Sequence, residues 1–123
     1  MTSTYHIGLF LLRVGFSGYM LAHGIPKLLE VLQGDFSFGD PIGLGEPVTK
    51  ILAVLGEVIA PLLIIIGYKT RISAVIAAIT MCVAAFVVHA QDPFSSKEKA
   101  LMYGTAFIVI ALTGAGRYSV DRK

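Results

Sequence analysis

The sequence predicts an all-α integral membrane protein, a bundle of four helices in a single domain, and three observations predict it. Of the 123 residues, 55% are hydrophobic and 15% charged, with a mean hydropathy of +0.77. That is more apolar than a soluble domain. Four stretches, 7–25, 48–67, 72–89 and 100–115, have the length needed to cross a hydrocarbon core of about 30 Å, which takes roughly 17 to 25 helical residues. Finally, the basic residues and the turn formers gather at the ends of those stretches.

Composition also excludes. The single cysteine, Cys82, lies in an apolar run, so there is no disulfide framework, no CxxC pair and no cysteine zinc site. A net charge of +2 is too small to indicate nucleic acid.

The first span, 7–25, resembles a signal peptide in position. It lacks a basic leader, carries Arg13 in its middle and has no small-x-small cleavage site after it, so it reads as a retained helix. At 3.6 residues per turn, Arg13, Ser17, Met20, Gly24 and Lys27 share a narrow stripe with His23 at its flank, and that stripe is expected to face inward. The connection 26–47 is the one long loop, rich in Gly, Pro and Asp. Its Phe36, Phe38, Ile42 and Leu44 fit either a lid lying back on the helix ends or a plain linker.

The second span holds the residue that most needs explaining. Between positions 51 and 67 Glu57 is the single charge, and a carboxylate near the middle of a membrane helix costs on the order of 3 kcal/mol on insertion scales. Pro61 follows four residues later and has no N–H to give the Glu57 carbonyl. Two polar groups at one depth therefore call for a neighbouring helix or a hydrated cavity.

The third and fourth spans are short and rich in small residues. Ala74, Ala78, Ala84 and Ala85 in the third, Gly104, Ala111 and Gly114 in the fourth, and Gly8, Gly15 and Gly18 in the first offer the close packing that holds helices together in lipid. Tyr5, Tyr68 and Tyr118 fall at one boundary, where interfacial anchoring suits them. With an even number of spans, Lys69, Arg71, Arg117, Arg122 and Lys123 share the side of both termini. Compact basic segments at span ends place that side in the cytoplasm.

Depth arithmetic at 1.5 Å per residue puts Arg13 about 9 Å in from the cytoplasmic end of its span and Glu57 roughly 14 Å in from the other end of its own. An Arg13 to Glu57 ion pair inside the bundle follows as an expectation, either holding two helices in register or taking part in chemistry. At the outer end the same arithmetic gathers His23, Lys27, His89, Asp92 and Tyr103. Imidazoles there are able to ligate a metal or haem, relay protons or hydrogen-bond a quinone. Two histidines without a short-spaced partner are a poor metal signature, so no metal site is assigned and a polar ligand pocket above Glu57 fits better. His6, at the cytoplasmic entrance, is given no role.

These segments resemble the DoxX family of small bacterial four-helix membrane proteins. LLRVGFSGYMLAHGIPKL looks like that family's opening segment, GEVIAPLLIIIGYKTRISA is similar to its second, and KALMYGTAFIVIALTGAGRYSVD resembles its closing helix with a GxGxYSxD tail. The resemblance implies association with quinol oxidase and thiosulfate:quinone oxidoreductase systems, with Arg13, His23, Lys27 and Glu57 at the motif positions.

The expected function is therefore that of an inner-membrane, quinone-linked oxidoreductase subunit or accessory. Glu57 and Arg13 are the candidate catalytic residues, and His23, Lys27, His89 and Tyr103 the candidate ligand-binding ones. No haem, flavin or iron–sulfur motif is present, so the cofactor would be a diffusible quinone or one carried by a redox partner protein. The alternative is a non-enzymatic scaffold, carrier or lipid-binding module. Partners are the bilayer and a redox protein, with a homo-oligomer permitted by the small-residue faces and no nucleic acid.

Overall fold

A computed structural model of the protein describes residues 3–35, 45–88 and 91–121. The suggested lid residues Phe36, Phe38, Ile42 and Leu44 lie outside the described residues, as does His89. Every regular element among the described residues is helical: α1 Ser3–Leu32, α2 Glu46–Val54, a π turn Leu55–Ile59, α3 Ala60–Ile66, α4 Thr70–Val83, a second π turn Ala84–Val88 and α5 Phe94–Thr113. Because the residues joining α2, the π turn and α3 keep right-handed helical dihedrals, these three form one continuous second rod. The architecture is a membrane four-helix bundle.

Helix α1 is longer than its sequence indicated. Its 30 residues run straight through Pro26, which had marked the end of the span. An internal proline removes one helical hydrogen bond, and here contacts from the last two turns to the second rod offset that loss. The helix stops instead at Gly34, in the left-handed region at φ 85°. The Gly34 N–H donates to the Val31 carbonyl and that of Asp35 to the Glu30 carbonyl, closing the exposed helix end. At about 45 Å, α1 outreaches a hydrocarbon core of about 30 Å.

The π turn in the second rod has a cause in the sequence. The Ala60 N–H bonds the Leu55 carbonyl five residues back, just before Pro61, whose missing N–H denies Glu57 its normal partner. At the other end, Gly67 adopts φ 75° and the Tyr68 N–H returns to the Leu63 carbonyl at 3.0 Å, so the rod ends in a glycine cap.

Small residues set the packing, though not all those expected. Ala74, Ala77, Ala78 and Met81 of α4 pack with Phe107 and Ile110 of α5, Met20 of α1, and Ala60 and Ile64 of the second rod. A Cβ on Gly56 would lie 1.9 Å from the Thr80 hydroxyl, which locates the crossing of the second rod with α4. A Cβ added to Gly8, Gly15 or Gly18 would meet nothing within 4 Å, so the packing role expected of them within this chain belongs to Gly24 instead. Of the inward stripe expected on α1, Arg13, Ser17, Met20 and Gly24 are buried and Lys27 is half-buried, while Leu9 extends the stripe at its start.

The outer surface is apolar, with Leu11 67%, Ile72 64% and Leu112 74% exposed, the pattern of side chains that face lipid. Among the described residues, three helices, Ser3–Leu32, Pro47–Ile66 and Thr70–Val87, are long and apolar enough to cross a membrane. Helix α5 has 20 residues but opens with Lys97, Glu98 and Lys99 in its second turn, which shortens its apolar part.

Candidate functional site

Two polar centres lie at opposite ends of the bundle, and the expected Arg13 to Glu57 ion pair does not form because each residue belongs to a different one. Arg13 is level with the end of the second rod, where its Nη1 donates to the carbonyls of Ile64 at 2.7 Å and Ile65 at 2.9 Å. Its Nη2 donates to the Tyr118 carbonyl. The final carbonyls of a helix lack donors and carry the negative end of its dipole, so a cation is well placed there. Glu57 is level with Gly24, about 16 Å further along α1 at 1.5 Å per residue, beyond the reach of Arg13.

Around Arg13 the C-terminal tail forms a strap across three helices. The Arg117 N–H donates to His6 Nδ1 at 2.9 Å, which fastens the strap to the start of α1 and gives His6 a part the sequence did not indicate. The Val120 and Asp121 N–H groups donate to the Ile66 and Gly67 carbonyls. Asp121 then accepts from the Lys69 N–H at 3.0 Å and the Thr70 N–H at 2.8 Å, capping α4 from a distant part of the chain. Gly67 is required where the strap crosses: a Cβ there would lie 2.2 Å from that of Ser119.

Glu57 belongs to the other centre. Lys27 Nζ donates to both of its carboxylate oxygens at 2.8 Å, with Glu57 8% and Lys27 30% exposed at their side chains. A second pair lies beside it: Lys50 Nζ approaches Glu30 Oε1 at 3.3 Å and donates to the Asp35 carbonyl at 3.0 Å. Lys50 is almost completely buried. The carbonyl that Pro61 leaves open on Glu57 faces Gly24, where a Cβ would lie 2.5 Å from its oxygen. Glycine at 24 thus lets α1 approach closely enough for Lys27 to meet Glu57.

The two ion pairs were legible in principle. Lys27 and Glu30 stand three residues apart on α1, and Lys50 and Glu57 stand two turns apart on the second rod. Set antiparallel, each lysine meets the other helix's glutamate. Treating 26–47 as loop hid this, because it left Glu30 outside any helix, and the Glu57 carboxylate was assigned to Arg13.

Two other candidates meet between α1 and α5. Tyr103 is buried, and its ring meets His23 edge-on at 5.9 Å, Phe16 edge-on at 5.8 Å and Phe107 in a stack at 6.4 Å. His23 is exposed and one turn before Lys27 on α1. The structure thus brings Lys27 to Glu57 and His23 to Tyr103, while Arg13 stands apart. Among the described residues no three His, Cys, Asp or Glu side chains come together as a metal site.

An uncharacterized protein of Haemophilus influenzae is 29% identical over 123 residues, covering 91% of this chain and 87% of its own length. No solved structure matches the chain. Residues 8–90, holding most of α1, the second rod, α4 and both ion pairs, match the DoxX family, while α5 and the strap lie beyond the matched region. The chain is a membrane protein in contact with the lipid bilayer, and it belongs to the DoxX family.

Proposed function

We propose that this protein is a quinone-linked oxidoreductase subunit or accessory of the bacterial inner membrane, with both termini in the cytoplasm. The head group would be held beside the Lys27–Glu57 pair, near His23 and Tyr103. One observation carries the reading: a carboxylate deep in the bundle is neutralised by a lysine whose side chain remains 30% exposed. A half-exposed cation so placed offers an incoming carbonyl a charged edge at which to bind.

Reduction of a quinone to a quinol takes two electrons and two protons. The electrons would come from a cofactor-bearing redox partner. Glu57, a carboxylate in the resting pair, would take up a proton from water and pass it to one quinone oxygen, then repeat the cycle for the second proton. Arg13, at the other end with backbone carbonyls as partners, has no part in this step and serves to hold the strap.

A second reading, a non-enzymatic scaffold, carrier or lipid-binding module, draws on the same centre. The lysines and glutamates at 27, 30, 50 and 57 are paired with one another, as a purely structural lattice would require. Purification in mild detergent followed by extraction of bound lipids separates the two. Bound quinone that a membrane redox partner reduces, and that is lost in Glu57→Gln, is the expected result. A quinone-free preparation from quinone-rich membranes would leave the scaffold.

A further inference from the structure

We propose that the strap end of the bundle is a docking surface for anionic phospholipid head groups, with Lys69, Arg71 and Arg117 as the phosphate-binding side chains. This proposal is independent of the quinone reading, because it concerns the opposite end of the molecule.

All three residues are exposed, and they share the end of the bundle that the strap crosses. Arg117 lies within it. The Lys69 N–H bonds Asp121 in it, and Arg71 Nε lies 3.1 Å from the Cβ position of Gly114, where the strap leaves α5. Among the described residues, no carboxylate comes within ion-pairing distance of these three side chains. Asp121, the nearby acid, directs both carboxylate oxygens to backbone N–H groups of Lys69 and Thr70. The fold thus satisfies the acid internally and leaves the basic side chains outside.

Their posture fits an interface. Arg117 lies over the Tyr118 ring at 5.3 Å and donates to Ser3 Oγ at 3.1 Å, while Lys69 Nζ lies over the Tyr68 ring at 5.8 Å. Cations and tyrosines paired in this way at helix ends are suited to the head-group region. The second rod ends at Ile66, α4 begins at Thr70 and α5 ends at Thr113, so the basic residues lie level with three helix termini. At that depth the anion already present at high local concentration is the lipid phosphodiester, which a guanidinium can bind through two parallel N–H donors. The opposite end exposes Glu30, Asp35, Asp92 and Glu98, which disfavour the same ligand.

The test uses the full chain reconstituted in vesicles of phosphatidylcholine mixed with phosphatidylglycerol, then extracted in mild detergent for native mass spectrometry of retained lipid. Wild type is expected to retain phosphatidylglycerol in preference, less so as salt rises. Arg71→Gln with Arg117→Gln is expected to lower that enrichment by roughly fivefold for each side chain removed. Lys69→Gln, whose side chain makes a ring contact with Tyr68, is expected to act the same way on a fold verified by circular dichroism. Lys97→Gln with Lys99→Gln at the other end should leave the enrichment unchanged. Equal losses in that control, or full retention in the strap-end variants, would overturn the proposal and leave this surface to an acidic protein partner.

Discussion

Arg13 and Lys27 lie on the same helix about 21 Å apart at 1.5 Å per residue, and each brings a positive charge into the bundle. Their hydrogen-bond partners are of opposite kinds. Lys27 meets a formal negative charge, the Glu57 carboxylate. Arg13 meets backbone carbonyls of Ile64, Ile65 and Tyr118, groups that every sequence supplies but that only a particular fold exposes. A charge pair can be deleted whole, because each member exists to answer the other. A cation that gathers carbonyls from two segments cannot, because deleting it leaves the carbonyls behind.

The first way to break this contrast is at Arg13, where the largest effect is expected. Arg13→Leu removes the donor to three carbonyls and leaves the strap tied to α1 through Ser3 and His6 at its start, with a cost of roughly 3 to 5 kcal/mol, the range for breaking a buried charged network. Thermal unfolding in detergent and abundance in the membrane should both fall sharply. Restoring the side-chain charge as Arg13→Lys should recover little, since a lysine cannot spread fixed donors over separate carbonyls. Near-native stability in Arg13→Leu would show that the strap is held by its own contacts with Gly67 and α4.

At the Lys27 end the expected result is smaller and has a different shape. Lys27→Met alone leaves Glu57 buried and unpaired, at a cost of about 2 to 4 kcal/mol. The double variant Lys27→Met, Glu57→Leu should recover most of that stability. A double-mutant cycle on melting free energies measures the coupling, and additive losses would contradict the pairing. Stability without quinone binding in the double variant would also show that the pair is retained for function.

The inward stripe of α1 was legible because side-chain periodicity is written directly into residue spacing: Arg13, Ser17, Met20 and Gly24 are buried as a 3.6-residue repeat requires. The register between α1 and the second rod was not. It depends on where α1 ends, and Pro26 read as a stop, whereas contacts across to Lys50 and Glu57 sustain the helix to Leu32. Once those two turns are helical, Glu57 falls level with Gly24 and within reach of Lys27. The partners of Arg13 were hidden for another reason. A backbone carbonyl has no letter in the sequence, and the strap that delivers one of them comes from residue 118, far along the chain.

Gly24 offers the finest test, because it asks how the Lys27 pair is brought together at all. Within one helix, Gly18 and Gly24 differ in what an added methyl would meet. At Gly18 nothing lies within 4 Å, whereas at Gly24 the Glu57 carbonyl oxygen lies at 2.5 Å and a Val58 methyl at 2.7 Å. Alanine is favoured over glycine in a helix interior by roughly 0.5 to 1 kcal/mol, so Gly18→Ala should hold stability or raise it slightly. Gly24→Ala should lower it by about 1 to 3 kcal/mol, because the rods must separate. Separation also lengthens the reach from Lys27 to Glu57, so the coupling measured in the Lys27/Glu57 cycle should shrink in the Gly24→Ala background. Unchanged coupling in that background would mean that the lysine adapts and that the glycine serves packing alone.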